Sequence, residues 1–274
     1  MILYVISVGL SVTMGLMGFI NLAHGVFAMA GGYLFATALG HFGVPFPLAL
    51  AISFVTVALA SVVLERLLYS RLYGAGELAQ VLFTIGLIFM SVAVARAIYG
   101  TLAPPVFLPE YLKGQVHALG RDFPTYRVFL ILFSAALIAA LWFGIERTRW
   151  GAMVRAAVDN RAMAQSIGIN TRTLFTLTFA LGSGLAGLGG ALGADIIPVQ
   201  WSYPFEHLVY FLIVVAVGGT SSVIGPLAAA LLLGIGDVAG KYYVPKLGAF
   251  AIYAIMIAVL LWRPHGLFAR SPKA

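Results

Sequence analysis

The chain is 274 residues long, 62% hydrophobic and only 9% charged, with a formal net charge of +7 and no cysteine. Soluble domains carry about 25% charged residues, so this composition excludes a water-solvated globule and places the chain in a bilayer. The missing thiols exclude disulfides, thiolate nucleophiles and cysteine metal sites. The cations lie between apolar runs and at the C-terminus, so they set orientation and meet headgroups or partners, and no nucleic-acid partner is expected.

Backbone groups must be satisfied within hydrocarbon, which leaves helices or a closed barrel, and the apolar runs are continuous rather than alternating. The expected fold class is therefore all-α, a polytopic integral membrane protein. A crossing takes about 20 apolar residues at roughly 1.5 Å each. The first run, 2–20, lacks a basic flank and a cleavage signal and reads as a retained span. It ends in the glycine-flanked stretch 15–25, where Asn21 and His24 interrupt an apolar region. Uncovered backbone at membrane depth is tolerated only where protein or a watery cavity meets it, so the break reads as pathway-lining. The bland alternative is a helix-to-helix turn capped by Asn21, with His24 bonding a nearby carbonyl.

A shorter run, 26–40, precedes full-length candidates at 47–68 and 78–100, joined by the short link 65–77. The loop 101–125 holds Pro104, Pro105, Pro109, Gly114, Gly120 and Pro124, which is turn-rich and unlike a domain. A further span, 126–145, leads into 147–172, the one long basic interruption. Five arginines (147, 149, 155, 161 and 172) face the single acid Asp159 there, placing the segment in the cytoplasm by the positive-inside rule. Residues 153–166 favour one short helix that stops at Gly168. It reads either as a surface helix on anionic headgroups or as a protruding helix that fits a partner's groove.

The span 173–193 has no charge from 174 to 192 but five glycines there, and Gly182, Ala186 and Gly190 recur every four residues. Such spacing lets backbones approach, within the chain or across a subunit interface. Short pieces at 206–218 and 222–240 flank a second break, 217–226, which reads as a match to the first or as a tight cytoplasmic turn. A last span covers 248–263, giving eight or nine segments, some partly re-entrant. Arg96, Asp195, Glu206, His207 and Asp237 all fall near segment ends, which counts against an ion-coupled carrier. No phosphate loop, catalytic constellation or metal-spaced histidine set is present, so neither catalytic nor metal residues are expected.

Two motifs and a signature carry a family resemblance: Ile-Asn-Leu-Ala-His-Gly at 20–25, the set Arg155, Ala156, Asp159, Ala164, Gly168, Ile169 and Asn170, and Val-Gly-Gly-x-x-Ser-x-x-Gly-Pro at 217–226. In that order they resemble the LivH-type permease subunits of branched-chain amino acid ABC importers, over nearly the whole chain. The resemblance implies an inverted-repeat importer architecture in a single permease domain, 1–274, with 147–172 as its cytoplasmic coupling loop. It implies that Arg155, Ala156, Asp159, Ala164, Gly168, Ile169 and Asn170 form a coupling helix and turn seated in an ATPase. Asn21, His24 and Gly25 would border the translocation pathway, matched by Gly218, Gly219, Ser222, Gly225 and Pro226. Expected partners are a second, related permease, two cytoplasmic ATPases that bind ATP and magnesium, an extracytoplasmic binding protein and inner-membrane lipid. The chain itself would hold no cofactor and perform no covalent chemistry. Cargo would be amino acids, branched-chain ones first, with urea, short amides and other amino acids as alternatives.

Overall fold

The computed structural model describes residues 1–268 apart from 18, 20, 119, 220–223, 247 and 265. Among them are eleven α-helices: α1 (Ile2–Met17), α2 (His24–Gly40), α3 (Phe46–Leu67), α4 (Glu77–Tyr99), α5 (Thr125–Arg147), α6 (Arg149–Asp159), α7 (Arg161–Ser166), α8 (Thr171–Gly193), α9 (Tyr203–Gly218), α10 (Ile224–Tyr243) and α11 (Gly248–Trp262). Nine follow the apolar runs. Of these, α3, α4, α5, α8 and α10 are long and apolar enough to cross a membrane.

Two expectations need correction. The run 222–240, read as a short piece, becomes the 20-residue α10, while 248–263, read as full length, gives the 15-residue α11. Gly225 and Pro226 fall in the first turn of α10, where a missing N–H costs nothing. Its Gly240 serves packing, since a Cβ there would stand 2.6 Å from the Ala251 Cβ on α11. Second, the single helix expected over 153–166 is two, divided at Asn160, whose extended backbone (φ −154°, ψ 100°) ends α6 and whose Oδ1 caps α7 by accepting from Met163 N at 2.9 Å. The turn-rich loop 101–125 contains an antiparallel hairpin, β1 (Gln115–Ala118) with β2 (Arg121–Pro124), in the register Val116 opposite Phe123.

The core is built around α8. Its apolar window is 89% buried, against 22% to 28% for the other four long helices, so those present wide apolar faces outward. Small residues make this burial compatible with close packing: α8 lies against α1 and α2 with backbone touching backbone, and against side chains of α3. A Cβ on Gly182 would stand 2.8 Å from the carbonyl oxygen of Gly9, and one on Gly187 would stand 2.9 Å from Val57 Cγ2. Ala186 is fully buried in the same face. α1 is enclosed as thoroughly, touching α8, α9, α10, α2 and α6.

Two ends can be told apart. The hairpin end carries the loop 100–124 and the start of α3. The arginine-rich end carries the α3–α4 link with its 3-10 turn Tyr69–Leu72, the α6–α7 pair, the start of α8 and residues 266–268. The last of these return to the C-terminus of α9, where Leu267 N donates to Val217 O at 2.8 Å.

Candidate translocation site and coupling surface

α1 stops at Met17 and α2 begins at His24, and Ala23 between them packs on Ile88 and Val92. Those residues lie midway along α4, so the first break sits near mid-height in the helix layer. Asn21 is 2% exposed. It does not cap α2; its Oδ1 accepts from Tyr69 Oη at 3.1 Å, and its Nδ2 has no partner. His24 is fully buried, with Nε2 2.9 Å from the carbonyl oxygen of Ile6. A carbonyl only accepts, so Nε2 carries hydrogen, and Nδ1 is left without a partner. Gly25 lets the first turn of α2 seat on α9: a Cβ there would stand 3.2 Å from Pro204 Cα.

The second break follows α9. Gly219 closes that helix at φ +87°, a backbone state that favours glycine. The two flanks fold back on each other, because a Cβ on Gly218 would stand 2.6 Å from the carbonyl carbon of Gly225 and from Pro226 N. Gly225 and Pro226 are buried; Ser222 lies outside the described residues. Ser11 Oγ donates to Gly219 O at 3.2 Å. One helix thus holds both breaks, through Ile6 and Ser11, which are about 7.5 Å apart along α1.

Around these breaks the chain buries more polarity than it pairs. The hydroxyls of Tyr4, Ser7, Ser183 and Tyr203, and that of Tyr33 farther along α2 beside Tyr99, join Asn21 Nδ2 and His24 Nδ1 in having no hydrogen-bond partner among the described residues. Each such group costs about 1–3 kcal/mol when left dry, so their accumulation in a helix core makes this region the candidate site. These hydroxyls were missed from sequence, since isolated Ser and Tyr residues in apolar helices give no pattern.

Toward the arginine-rich end an aromatic plug closes the layer. Tyr69 sits against Phe19, Phe83 and Phe179 at ring distances of 5.2, 5.2 and 4.8 Å. Phe179 meets Phe27 at 5.8 Å and Tyr73 meets Phe175 at 5.9 Å. Behind the plug lies Glu65, placed by sequence in an interhelix link but found in the last turn of α3 at 1% exposure. It accepts from Tyr73 Oη at 2.5 Å and Thr176 Oγ1 at 2.7 Å. Burial pushes the Tyr69 phenol up; burial, then the bond and charge of Glu65, does the same to Tyr73.

The α6–α7 pair rests on a small core of Val154, Ala157, Ala164, Leu174 and Phe175, with Tyr73, Trp150 and Ile169 packed against it. Ala164 and Ile169 thus anchor the pair. Arg155 also faces inward, donating to the Ile145 carbonyl, with Glu146 at 3.9 Å; Ala156 beside it is half-buried. Asp159, Gly168 (φ +89°) and Asn170 are exposed, and Asn170 Oδ1 caps α8 by accepting from Thr173 N at 3.1 Å. The outward apolar tips, Met163 at 65% and Ile167 at 69% exposure, were not singled out from sequence.

Nine apolar helices, two glycine breaks tied to a central helix and one compact basic pair at a single end define a multi-pass membrane permease. The profile of the family described as branched-chain amino acid transport system / permease component matches residues 1–260, and the chain belongs to that family. It is 27% identical to the high-affinity branched-chain amino acid permease protein BraD of Pseudomonas aeruginosa, over 97% of this chain and 91% of the relative. Similarity to LivH of Escherichia coli K12 is also 27%, over 97% and 90%. LivM of the same bacterium is 26% identical, over 97% of this chain and 68% of its own length. No solved structure matches.

Proposed function

We propose that this permease forms half of the pore of an ATP-driven importer in a bacterial inner membrane, and that it carries branched-chain amino acids. The observation that carries the reading is the pair of breaks bridged by α1 and surrounded by unpartnered, uncharged polar atoms. Neutral donors and acceptors suit a zwitterion of zero net charge, and the apolar helix walls suit a branched aliphatic side chain. In this reading the aromatic plug of Tyr69, Phe179 and Phe19 is the gate on the cytoplasmic, arginine-rich side.

The α6–α7 pair is the lever. Met163 and Ile167 seat in an ATPase groove, Asp159 and Gly168 flank the contact, and the inward Arg155, Ala164 and Ile169 make the pair move as one body with α5 and α8. Because α6 also touches α1, displacement of the lever reaches the helix that holds both breaks. Alternating access then follows from two packings of that helix set, biased by ATP binding to the partner ATPases, which hold the nucleotide and magnesium. A second permease, related as LivM is to LivH, completes the pore, and an extracytoplasmic binding protein delivers the cargo.

The test is reconstitution with the partner subunits in proteoliposomes, reading ATP-driven leucine uptake and cargo-stimulated ATP hydrolysis. Gly168→Trp and Asp159→Arg are expected to leave the protein inserted and to lower stimulated hydrolysis, whereas Asn21→Leu suppresses uptake. Uptake that persists with both ATPases omitted, or stimulation unchanged in both lever variants, would overturn the proposal.

A further inference from the structure

Beyond the pathway and lever, the arginine-rich end contains a built cationic cavity of about 330 Å³ between α3 and α8, lined by Arg66, Arg172, Thr173 and Thr176. Neither arginine makes an ion pair among the described residues. Glu65, the buried acid next to Arg66, accepts from the hydroxyls of Tyr73 and the cavity-lining Thr176 and makes no ion pair with either arginine. Arg172 also lines an adjoining cavity of about 210 Å³ together with Arg161, whose guanidinium carbon lies 4.7 Å above the Phe175 ring. Two arginines therefore meet here with no acid in ion-pair contact among the described residues.

What lies above the cavity identifies the ligand. On α3, Leu59, Val63 and Arg66 follow one face at helical spacing, and Leu59 and Val63 are 63% and 55% exposed. On α8, Leu177 stands one turn beyond Thr173 and is 52% exposed. An apolar strip thus runs from the two guanidinium groups into the hydrocarbon layer. Arginine forks match phosphate oxygens in pairs, and basic pockets between membrane helices on the cytoplasmic side take anionic headgroups. A soluble anion has no use for the strip; a phospholipid has use for both parts.

We infer that Arg66 and Arg172 form a binding site for the phosphodiester of an anionic phospholipid whose acyl chain lies along Leu59, Val63 and Leu177. The site holds the base of α3 against the start of α8, beside the plug and lever but separate from the transported solute. It is tested on the full-length permease in neutral detergent, titrated with phosphatidylglycerol and followed by native mass spectrometry. The Arg66→Gln/Arg172→Gln variant is expected to hold the tightest lipid on the order of 30-fold more weakly, the worth of two cations against an anionic headgroup. Arg66→Lys/Arg172→Lys, which keeps both charges, and Arg71→Gln, outside the cavity, retain it; phosphatidylcholine does not distinguish the variants, and excess inorganic phosphate does not displace phosphatidylglycerol. Equal phosphatidylglycerol binding by the double glutamine variant, shown folded by an unchanged melting curve, overturns the inference. Displacement by inorganic phosphate overturns it too and assigns the cavity to a soluble anion.

Discussion

Alanine at Gly190 is the sharpest test of the packing around α8. In an isolated helix the change is favourable by about 1 kcal/mol, because glycine has the poorest helix propensity after proline. Here the added Cβ would meet the Ala28 carbonyl, standing 2.6 Å from its carbon and 2.9 Å from Ala28 Cα, with the oxygen nearer still. These are backbone atoms in the second turn of α2, so no rotamer change relieves them. The two helices must part by about 1 Å, and a gap of that size forfeits up to half of each dispersion contact across the crossing. Overpacking costs typically about 1–3 kcal/mol, and rigid backbone on both sides puts this case at the upper end. The net loss is about 2 kcal/mol, which for a chain of this size lowers the melting midpoint by about 5 °C. Thermal unfolding of purified protein in detergent reads it. Gly234→Ala in α10, where nothing lies within 4 Å of the new carbon, is the control and should be neutral or slightly stabilising. If Gly190→Ala melts at or above the unaltered protein, the close crossing of α2 and α8 is wrong.

Because the chain has no native cysteine, Asn21→Cys and His24→Cys give clean probes, and each is expected to react with a small polar thiol reagent in at least one state of the transport cycle. Inertness throughout would reduce the first break to a structural turn. Asn160→Ala removes the cap on the six-residue α7, worth about 1 kcal/mol, and should loosen the lever without moving the melting point. Faster amide exchange confined to 161–167, with weaker ATPase stimulation, is the expected pair of results. Stability should also fall above the ordinary phenol range. Burial raises Tyr69 and Tyr73 in the folded state, so folding is undisturbed by them below a pH of about 10 and loses support as the unfolded chain ionises above it. Melting curves taken across that range should be flatter for Tyr69→Phe/Tyr73→Phe than for the unaltered protein.

The apolar helices were legible because hydrocarbon forces every span to be a long continuous run; the two breaks were legible because glycine, asparagine and histidine stand out against such runs. Helix length was less so. Glycine and proline in 222–240 looked like interruptions, yet a proline in the first turn and glycines facing α11 are compatible with one helix. The division of the lever at Asn160 was hidden by its helix-favouring neighbours, since a cap depends on one side chain's reach to Met163 rather than on composition. Glu65 was misplaced for a similar reason: nothing in the linear order says that Tyr73, eight residues on, and Thr176, from a distant helix, will both turn hydroxyls toward it.

The role proposed for α1 follows from what it lacks as much as from what it touches. It has no charged side chain and almost no outward face, so neither headgroups nor lipid fix its position; its place is set by the helices around it, α8, α9, α10, α6, α2 and α5. Packed interfaces are bistable rather than elastic, so such a helix changes its place by exchanging one set of neighbours for another. Its two hydrogen bonds to the breaks, donated by His24 Nε2 to the Ile6 carbonyl and by Ser11 Oγ to the Gly219 carbonyl, are single contacts worth about 1 kcal/mol each, within reach of what a closing ATPase pair supplies. A lever that shifts α6 by one packing step would therefore release or restore both breaks together. Ser11→Ala should uncouple them, leaving His24 anchored while the second break relaxes: uptake falls, cargo-stimulated hydrolysis persists, and labelling of a cysteine at Gly219 no longer follows the nucleotide state. Labelling at Gly219 that tracks nucleotide as before would show that α1 does not carry the signal.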